Sequence, residues 1–351
     1  MAANPDYEKA YCPKIQASLN ALCQNSPYGV QSFETGAFDA ITSAYNQADW
    51  QTITMSNKKP LIQLLYQNRP LPSSVTAGAI DLCPVGAANP YLETEITLEE
   101  GYNSAGVELE EGELKNICLD ETGAKAKILY GQIAAVKAKI NDAIIAAMGL
   151  NVTNSYGPVA PQAGPPKYNF AVQLINNGTV DVTDWGIVLR QMRLLGCSAP
   201  PILIGDHQLF DLISFNKYGC CNTGGFNTGD ITGQAAFFLD PKIGETAGLG
   251  LDATPYFVGL VPGAVTLASW NPYTVPFVDP KGNETGTIID PATGQAFTYR
   301  IRFEECTGLY SAGKWIFSVH LMAGIFFRPS DFYAVGDPLE GTNGMLVFKQ
   351  V

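Results

Sequence analysis

From Asp120 to Leu150 the chain carries one sustained apolar stripe at helical period, and no other stretch constrains the fold as strongly. Leu129, Ile133, Val136, Ile140, Ile144 and Met148 recur at steps of three or four, which places them on one face of an α-helix. Lys125, Lys137, Lys139, Asn141 and Asp142 are expected mostly outside that stripe. Asp120 can cap the first turn, Glu121 stands at the positive end of the helix dipole, and Gly149 sits where a helix commonly leaves through a left-handed residue. Gly123 and Gly131 each cost up to ~1 kcal/mol relative to Ala in a helix interior, and the alanine-rich remainder offsets them. At ~1.5 Å per residue the rod is roughly 42 Å long, a spine for the rest of the chain.

A chain of 351 residues can bury a full core and form one elaborate domain or two. Only 15% of its residues are charged while 46% are hydrophobic, so its surface has little charge for a monomer and favours extensive subunit contacts. The net charge of -12, with no Lys/Arg cluster, excludes a protein that wraps nucleic acid through its phosphates. An acidic protein can still enclose DNA if it repels rather than grips it. Residues 1–20 have no apolar core of signal-peptide type, and the apolar run near Phe317 to Phe327 is too short for a bilayer, so a soluble cytoplasmic chain with no membrane partner is expected. The eight cysteines follow no repeating spacing and are expected as buried free thiols.

Before the spine, residues 6–46 hold short helical candidates at Ala10 to Cys23 and Phe38 to Tyr45. From Trp50 to Leu114 the text turns extended and its charge lopsided: Lys58, Lys59 and Arg69 come first, then a run of glutamates from Glu93 to Glu113. Thr94, Ile96 and Leu98, then Val107 and Leu109, predict short strands linked by turn material at Gly101 to Gly106. After the spine, Phe170 to Ile175 predicts a strand, and Thr183 or Asp184 can cap a helix ended by Gly196. Pro201 to Gly205 reads as a short buried strand leading into Asp206 and a second helix bearing Leu209, Leu212 and Ile213. Strands follow at Ala235 to Leu239 and Pro255 to Ser269, then loop from Asp279 to Gly294. Phe297, Tyr299, Ile301 and Phe303 alternate with polar residues, the mark of a strand with one buried face, and Lys314 to Phe327 is its partner. Met345 to Phe348 is a final strand.

A search for chemistry returns little. His320 lies inside a strand, where a packed, hydrogen-bonded imidazole is expected, and His207 with Cys220 or Cys221 lacks any supporting nucleophile motif. Cys220 and Cys221 are adjacent, without the gap of a zinc knuckle. No Walker loop, dinucleotide fingerprint, nucleophile elbow or His-Glu-x-x-His occurs. No residue is assigned a catalytic, cofactor-binding or metal-binding role, and the chain is read as a non-enzyme.

The order of these parts resembles the major capsid proteins of tailed bacteriophages, the Hong Kong 97-type fold also used by encapsulin compartments. The likeness is architectural and covers nearly the whole chain. Val261-Pro262-Gly263-Ala264 followed by Trp270-Asn271, and Asp337-Pro338-Leu339 with Gly341-Thr342-Asn343-Gly344, read like the ends of such coat proteins. The resemblance implies an α+β fold laid out as an N-terminal arm (1–49), an extended β-hairpin loop (50–115), a peripheral domain with the spine helix (116–160), a β/α axial domain (161–292) and a return to the peripheral domain (293–351). It implies a structural shell subunit forming hexamers and pentamers around double-stranded DNA, part of the virion and assembled in the host cytoplasm, without sequence-specific binding. Scaffolding, portal and decoration proteins would be its further partners. With no long segment ahead of the arm in this sequence, scaffolding is expected to be a separate protein, absent or already removed. Two other readings are an encapsulin-type compartment shell and a cytosolic hydrolase with a β/α catalytic domain.

Overall fold

The computed structural model describes residues 16–21, 35–43, 46, 51–56, 59–67, 91–97, 101–110, 121–151, 171–172, 175–176, 179–180, 182–197, 199–206, 234–244, 256–271, 277–279, 283–305, 313–328 and 343–350. The fold is mixed α+β, as expected. In chain order it begins with α1 (Gly36–Thr42), β1 (Gln51–Ser56), β2 (Lys59–Gln67), β3 (Tyr91–Thr97), β4 (Gly101–Asn103), β5 (Val107–Glu110) and the long helix α2 (Glu121–Asn151). Then come β6 (Ala171–Val172), β7 (Ile175–Asn176), β8 (Thr179–Val180), α3 (Val182–Leu194), β9 (Ile202–Gly205), β10 (Ala236–Leu239), β11 (Tyr256–Leu260) and β12 (Val265–Trp270). The last strands are β13 (Phe277–Val278), β14 (Glu284–Ile289), β15 (Ala296–Glu304), β16 (Lys314–Phe327) and β17 (Met345–Gln350). No helix among the described residues is long and apolar enough to cross a membrane.

Two compact units emerge, each drawn from three separate stretches of sequence. One takes residues 1–42, 98–142 and 268–324, the other residues 43–97, 143–267 and 325–351.

The first unit holds most of the spine. Helix α2 has 31 residues, about 46 Å at 1.5 Å per residue, and buries all six residues of the anticipated stripe. Two features differ from expectation. Gly149 does not end the helix: the last turn runs on to Asn151, whose side-chain amide donates to the Ala147 carbonyl at 2.8 Å and satisfies one terminal acceptor. Lys125, Lys137 and Asn141 are buried rather than solvent-facing. Asp120 lies outside the described residues.

A sheet ordered β12-β16-β15-β14-β13 is organised on the 14-residue strand β16, with β4 and β5 also paired to it. β15 runs antiparallel to β16 in the register Thr298↔His320 to Glu304↔Lys314. Phe297, Tyr299 and Ile301 of β15 are buried while Arg300 and Arg302 are exposed, as the alternation required; Thr298 is buried too and Phe303 only half-buried, so the pattern holds in the middle of the strand and not at its ends. Two expectations are corrected. Residues 101–106 do not simply link strand 94–98 to strand 107–109: Gly101–Asn103 is itself strand β4, and both β4 and β5 pair with β16, whereas β3 pairs with β2. Alternation reveals that a segment is extended but does not identify its partner. The loop expected from Asp279 to Gly294 contains β14, which pairs along its length with β15. Its polar, Thr- and Gly-rich text hides a strand because Glu284 is buried against Tyr299 and the Tyr299 ring lies over Gly286, where an added Cβ would approach within 3.0 Å.

In the second unit, a five-stranded sheet is ordered β10-β9-β11-β17-β6. The C-terminal strand β17 lies inside it, antiparallel to β11 and parallel to β6. All four residues of β9 are buried, as expected for Ile202–Gly205. Helix α3 ends at Gly196 (φ 81°), where the Cys197 N–H reaches back to the Met192 carbonyl and closes the C-terminal turn. Its apolar face packs Trp185, Val188, Met192 and Leu195 with Leu203, Phe257, Leu346 and Phe348 of the sheet. At Gly259 of β11 the sheet admits this close approach: a Cβ there would stand 2.7 Å from Met192 Sδ. A separate antiparallel sheet, β1-β2-β3, occupies residues 51–97, and β7 with β8 forms a small hairpin. The second helix expected after Asp206, from Leu209 to Ile213, lies outside the described residues.

Candidate functional site

The most organised polar site is built on α2. Along the row Lys125, Leu129, Ile133, Lys137, Asn141 and Ile145, each residue lies four beyond the last, so neighbours in the row stand one above the other on a ridge that winds around the helix by about 40° per step. Every one of them is buried. The sequence places Lys125, Lys137 and Asn141 outside the apolar stripe, and the structure buries all three beside it.

At the middle of the row, Lys137 meets two carboxylates from distant parts of the chain. Its Nζ lies 3.0 Å from Asp290 Oδ2 and 3.1 Å from Asp39 Oδ1. Asp39, Lys137 and Asp290 are only 7%, 5% and 2% exposed. Each carboxylate is held locally. Asp290 starts the tight turn from β14 to β15, where Oδ1 accepts the Ala292 N–H and Oδ2 accepts the Thr293 hydroxyl at 2.8 Å, with Gly294 closing the turn at φ 73°. Asp39 lies in α1; Oδ2 accepts the Thr35 hydroxyl at 3.3 Å, while Oδ1 has the lysine charge nearby but no aligned hydrogen-bond donor. Asn141 Oδ1 accepts the Phe38 N–H at 2.8 Å, satisfying a first-turn amide of α1. The Phe38 ring centroid lies 5.4 Å from Lys137 Nζ.

One ammonium facing two carboxylates leaves a surplus negative charge in a dry place. Burial raises the pKa of Asp39; Lys137 works against that rise, and the neighbouring Asp290 charge adds to it. For Lys137 burial pulls the pKa down, but the two carboxylates outweigh it and the ammonium form is favoured. A second station lies nearer the start of α2. Lys125 Nζ stands 5.0 Å from the Trp315 ring centroid, and the Tyr299 hydroxyl donates to Glu284. Burial raises the Glu284 pKa against the opposing effects of Tyr299 and Lys125.

Of the residues weighed for chemistry, His320 and Cys197 are among those described, and each is held in its own local setting. His320 is a hydrogen-bonded strand histidine, its Nδ1 2.9 Å from Asn103 Oδ1 and its Nε2 3.3 Å from Ser318 Oγ. Burial and then Arg300 lower its pKa. Cys197 is a buried free thiol that donates to the Ala199 carbonyl, and burial raises its pKa, which disfavours the thiolate. It borders a cleft of about 280 Å³ lined also by Leu189, Met192, Arg193, Pro201 and Gln234. His207, Cys220, Cys221 and the remaining cysteines lie outside the described residues. Among the described residues no group of three His, Cys, Asp or Glu side chains could hold a metal.

These features define an α+β protein of two units, the first of which encloses a buried charge cluster. No protein-family model and no curated protein matches the chain. The solved structures it is similar to come from phages and capsids. One is from Mycobacterium phage Adephagia, with TM-score 0.41, 13% identity and coverage of 88% of this chain and 92% of that chain. Another is the capsid of a native GTA particle computed with C5 symmetry (TM-score 0.43, 12% identity, coverage 92% and 91%). A third is the Cyanophage A-1(L) capsid asymmetric unit (TM-score 0.37, 11% identity, coverage 90% and 92%).

Proposed function

We propose that this chain is a major capsid subunit of the tailed-phage type, which self-assembles into an icosahedral head enclosing double-stranded DNA. The observation that carries the reading is the order of its parts: extended strands, then a 31-residue helix, then a β/α sheet, then a β-rich return whose last strand lies inside that earlier sheet. On this reading residues 1–49 are an arm, 50–115 an extended loop, 116–160 and 293–351 the peripheral domain, and 161–292 the axial domain. The function is geometric. A subunit with a stiff spine tiles into hexamers and pentamers, while arm and loop overlap neighbours and supply apolar burial that one chain lacks. Permanent interfaces of this kind bury upwards of ~2,000 Å². The net charge of -12 suits a wall that confines DNA by repulsion. The particle forms in the host cytoplasm and its subunits are virion components; scaffolding, portal and decoration proteins are the expected partners.

The test removes part of the loop while leaving every described strand in place. A deletion reaching Asn103 would take out β4 and disturb its pairing with β16, so residues 68–90, between β2 and β3, are replaced by a short Gly/Ser turn. The variant should keep the circular dichroism and melting temperature of the full chain yet sediment only as free subunits or capsomers. Normal closed particles from this variant would contradict the role given to the loop.

A further inference from the structure

We propose that the cleft at the C-terminal end of α3 binds a small apolar carboxylic acid, with its hydrocarbon part against Met192, Cys197 and Pro201 and its carboxylate on Arg193 and Gln234. The cleft holds about 280 Å³, near the lower bound of roughly 300 Å³ for small-molecule sites, which gives room for one ring and a short tail. Met192, Cys197 and Pro201 are its buried lining and so its floor, while Arg193 and Gln234 are exposed at its rim. The floor has little to offer water. The Cys197 thiol already donates to the Ala199 carbonyl at 2.9 Å, and burial raises its pKa, so the sulfur stays uncharged. Poorly held water over such a surface is readily displaced by hydrocarbon.

The rim selects the charge. Trp185 Nε1 donates to Gln234 Oε1 at 3.0 Å, which fixes the amide and leaves its N–H donors free of any partner among the described residues. The Arg193 guanidinium likewise has no hydrogen bond or ion pair among those residues. Two donors thus border one apolar cleft with nothing to accept from them, and a carboxylate answers both, since its two oxygens match a guanidinium fork. A helix C-terminus ordinarily repels an anion through its exposed carbonyls. Here the Leu195, Gly196 and Cys197 N–H groups occupy the Gln191, Arg193 and Met192 carbonyls. None of the described residues lining the cleft is acidic, and the buried Arg328 lies close enough to Cys197 for its positive charge to act there. An amine of the same shape would meet like charge instead. All of these residues belong to the second unit.

Calorimetric titration of the full chain with 3-phenylpropionate, and with 3-phenylpropanamide as its uncharged twin, tests the site. The acid should bind saturably at one site per chain, and the amide at least tenfold more weakly. Arg193→Gln, with unchanged circular dichroism, should bring the acid down to the affinity of the amide and leave the amide unaffected. Ala199→Trp places a ring over the exposed wall of the cleft and should abolish binding of both. No saturable binding of the acid, equal binding of acid and amide, or an Arg193→Gln chain that holds the acid as tightly as the wild type overturns the proposal. An Ala199→Trp chain of unchanged circular dichroism that still binds the acid as the wild type does overturns the placement in this cleft.

Discussion

The two units differ in what their central clusters are made of. Around α3 and the five-stranded sheet the central cluster is carbon against carbon, with Phe257 and Phe348 stacked at 4.8 Å and Trp185 at 5.8 Å from Phe237, although the same unit also buries Asp240 and Arg328. Around α2 and the β15–β16 sheet the interior also encloses Lys125, Lys137, Asp39, Asp290 and Glu284. An apolar core tolerates small changes in shape and is non-directional. A buried charge cluster defines one arrangement of three chain segments, because any other leaves a charge without its partner. On the proposed function, a subunit that must keep one shape among many neighbours has a reason to place charges along the spine.

The comparison is most sharply broken at Lys137. Replacing it with Met leaves two buried carboxylates facing each other, and breaking a buried pair costs about 3–5 kcal/mol. Urea unfolding should show that loss, with hydrogen exchange accelerated first in α1 and the 290–294 turn. The apolar unit is probed at Gly259, where Val would meet Met192 Sδ and the Phe348 ring. Overpacking there should cost about 1–3 kcal/mol, with exchange raised in β9, β11 and α3 instead.

A gentler change follows pH. Below its ordinary value near 3.8, Asp39 is protonated in both the folded and the unfolded chain. As pH rises the unfolded chain releases that proton first, so the stability Asp39 contributes is present at low pH and lost as pH climbs through its raised folded value. Glu284 acts with the same sign above its ordinary 4.5. Urea midpoints measured across pH 3 to 7 should therefore decline less for Asp39→Asn than for the wild type, relative to their acid values. The smallest effect is a gain. Gly131 is exposed in mid-helix and a Cβ there meets nothing within 4 Å, so Gly131→Ala should stabilise the spine by about 0.5–1 kcal/mol in the same assay.

Much of the fold was legible because it rests on local period. The stripe from Leu129 to Met148, the alternation from Phe297 to Phe303, and strands at Ile202–Gly205 and Lys314–Phe327 all emerged within a residue or two. What stayed hidden depends on partners far away in sequence. Nothing near Lys137 announces Asp39 or Asp290, 98 residues before it and 153 after it. β14 was missed for the same reason: Glu284 and Gly286 make sense in a strand only once Tyr299 is opposite them. The i, i+4 row through Lys125, Lys137 and Asn141 is the local clue to the charge cluster, but a position outside the apolar stripe does not reveal which distant side chains will bury it.

The central claim is that this chain exists to be tiled, and one measurement meets it directly. Purified full-length protein at physiological salt should sediment as megadalton particles, and electron microscopy of that fraction should show closed, thin-walled shells or the rings from which they form. A single small species at every concentration, with no rings or shells in the micrographs, would contradict it.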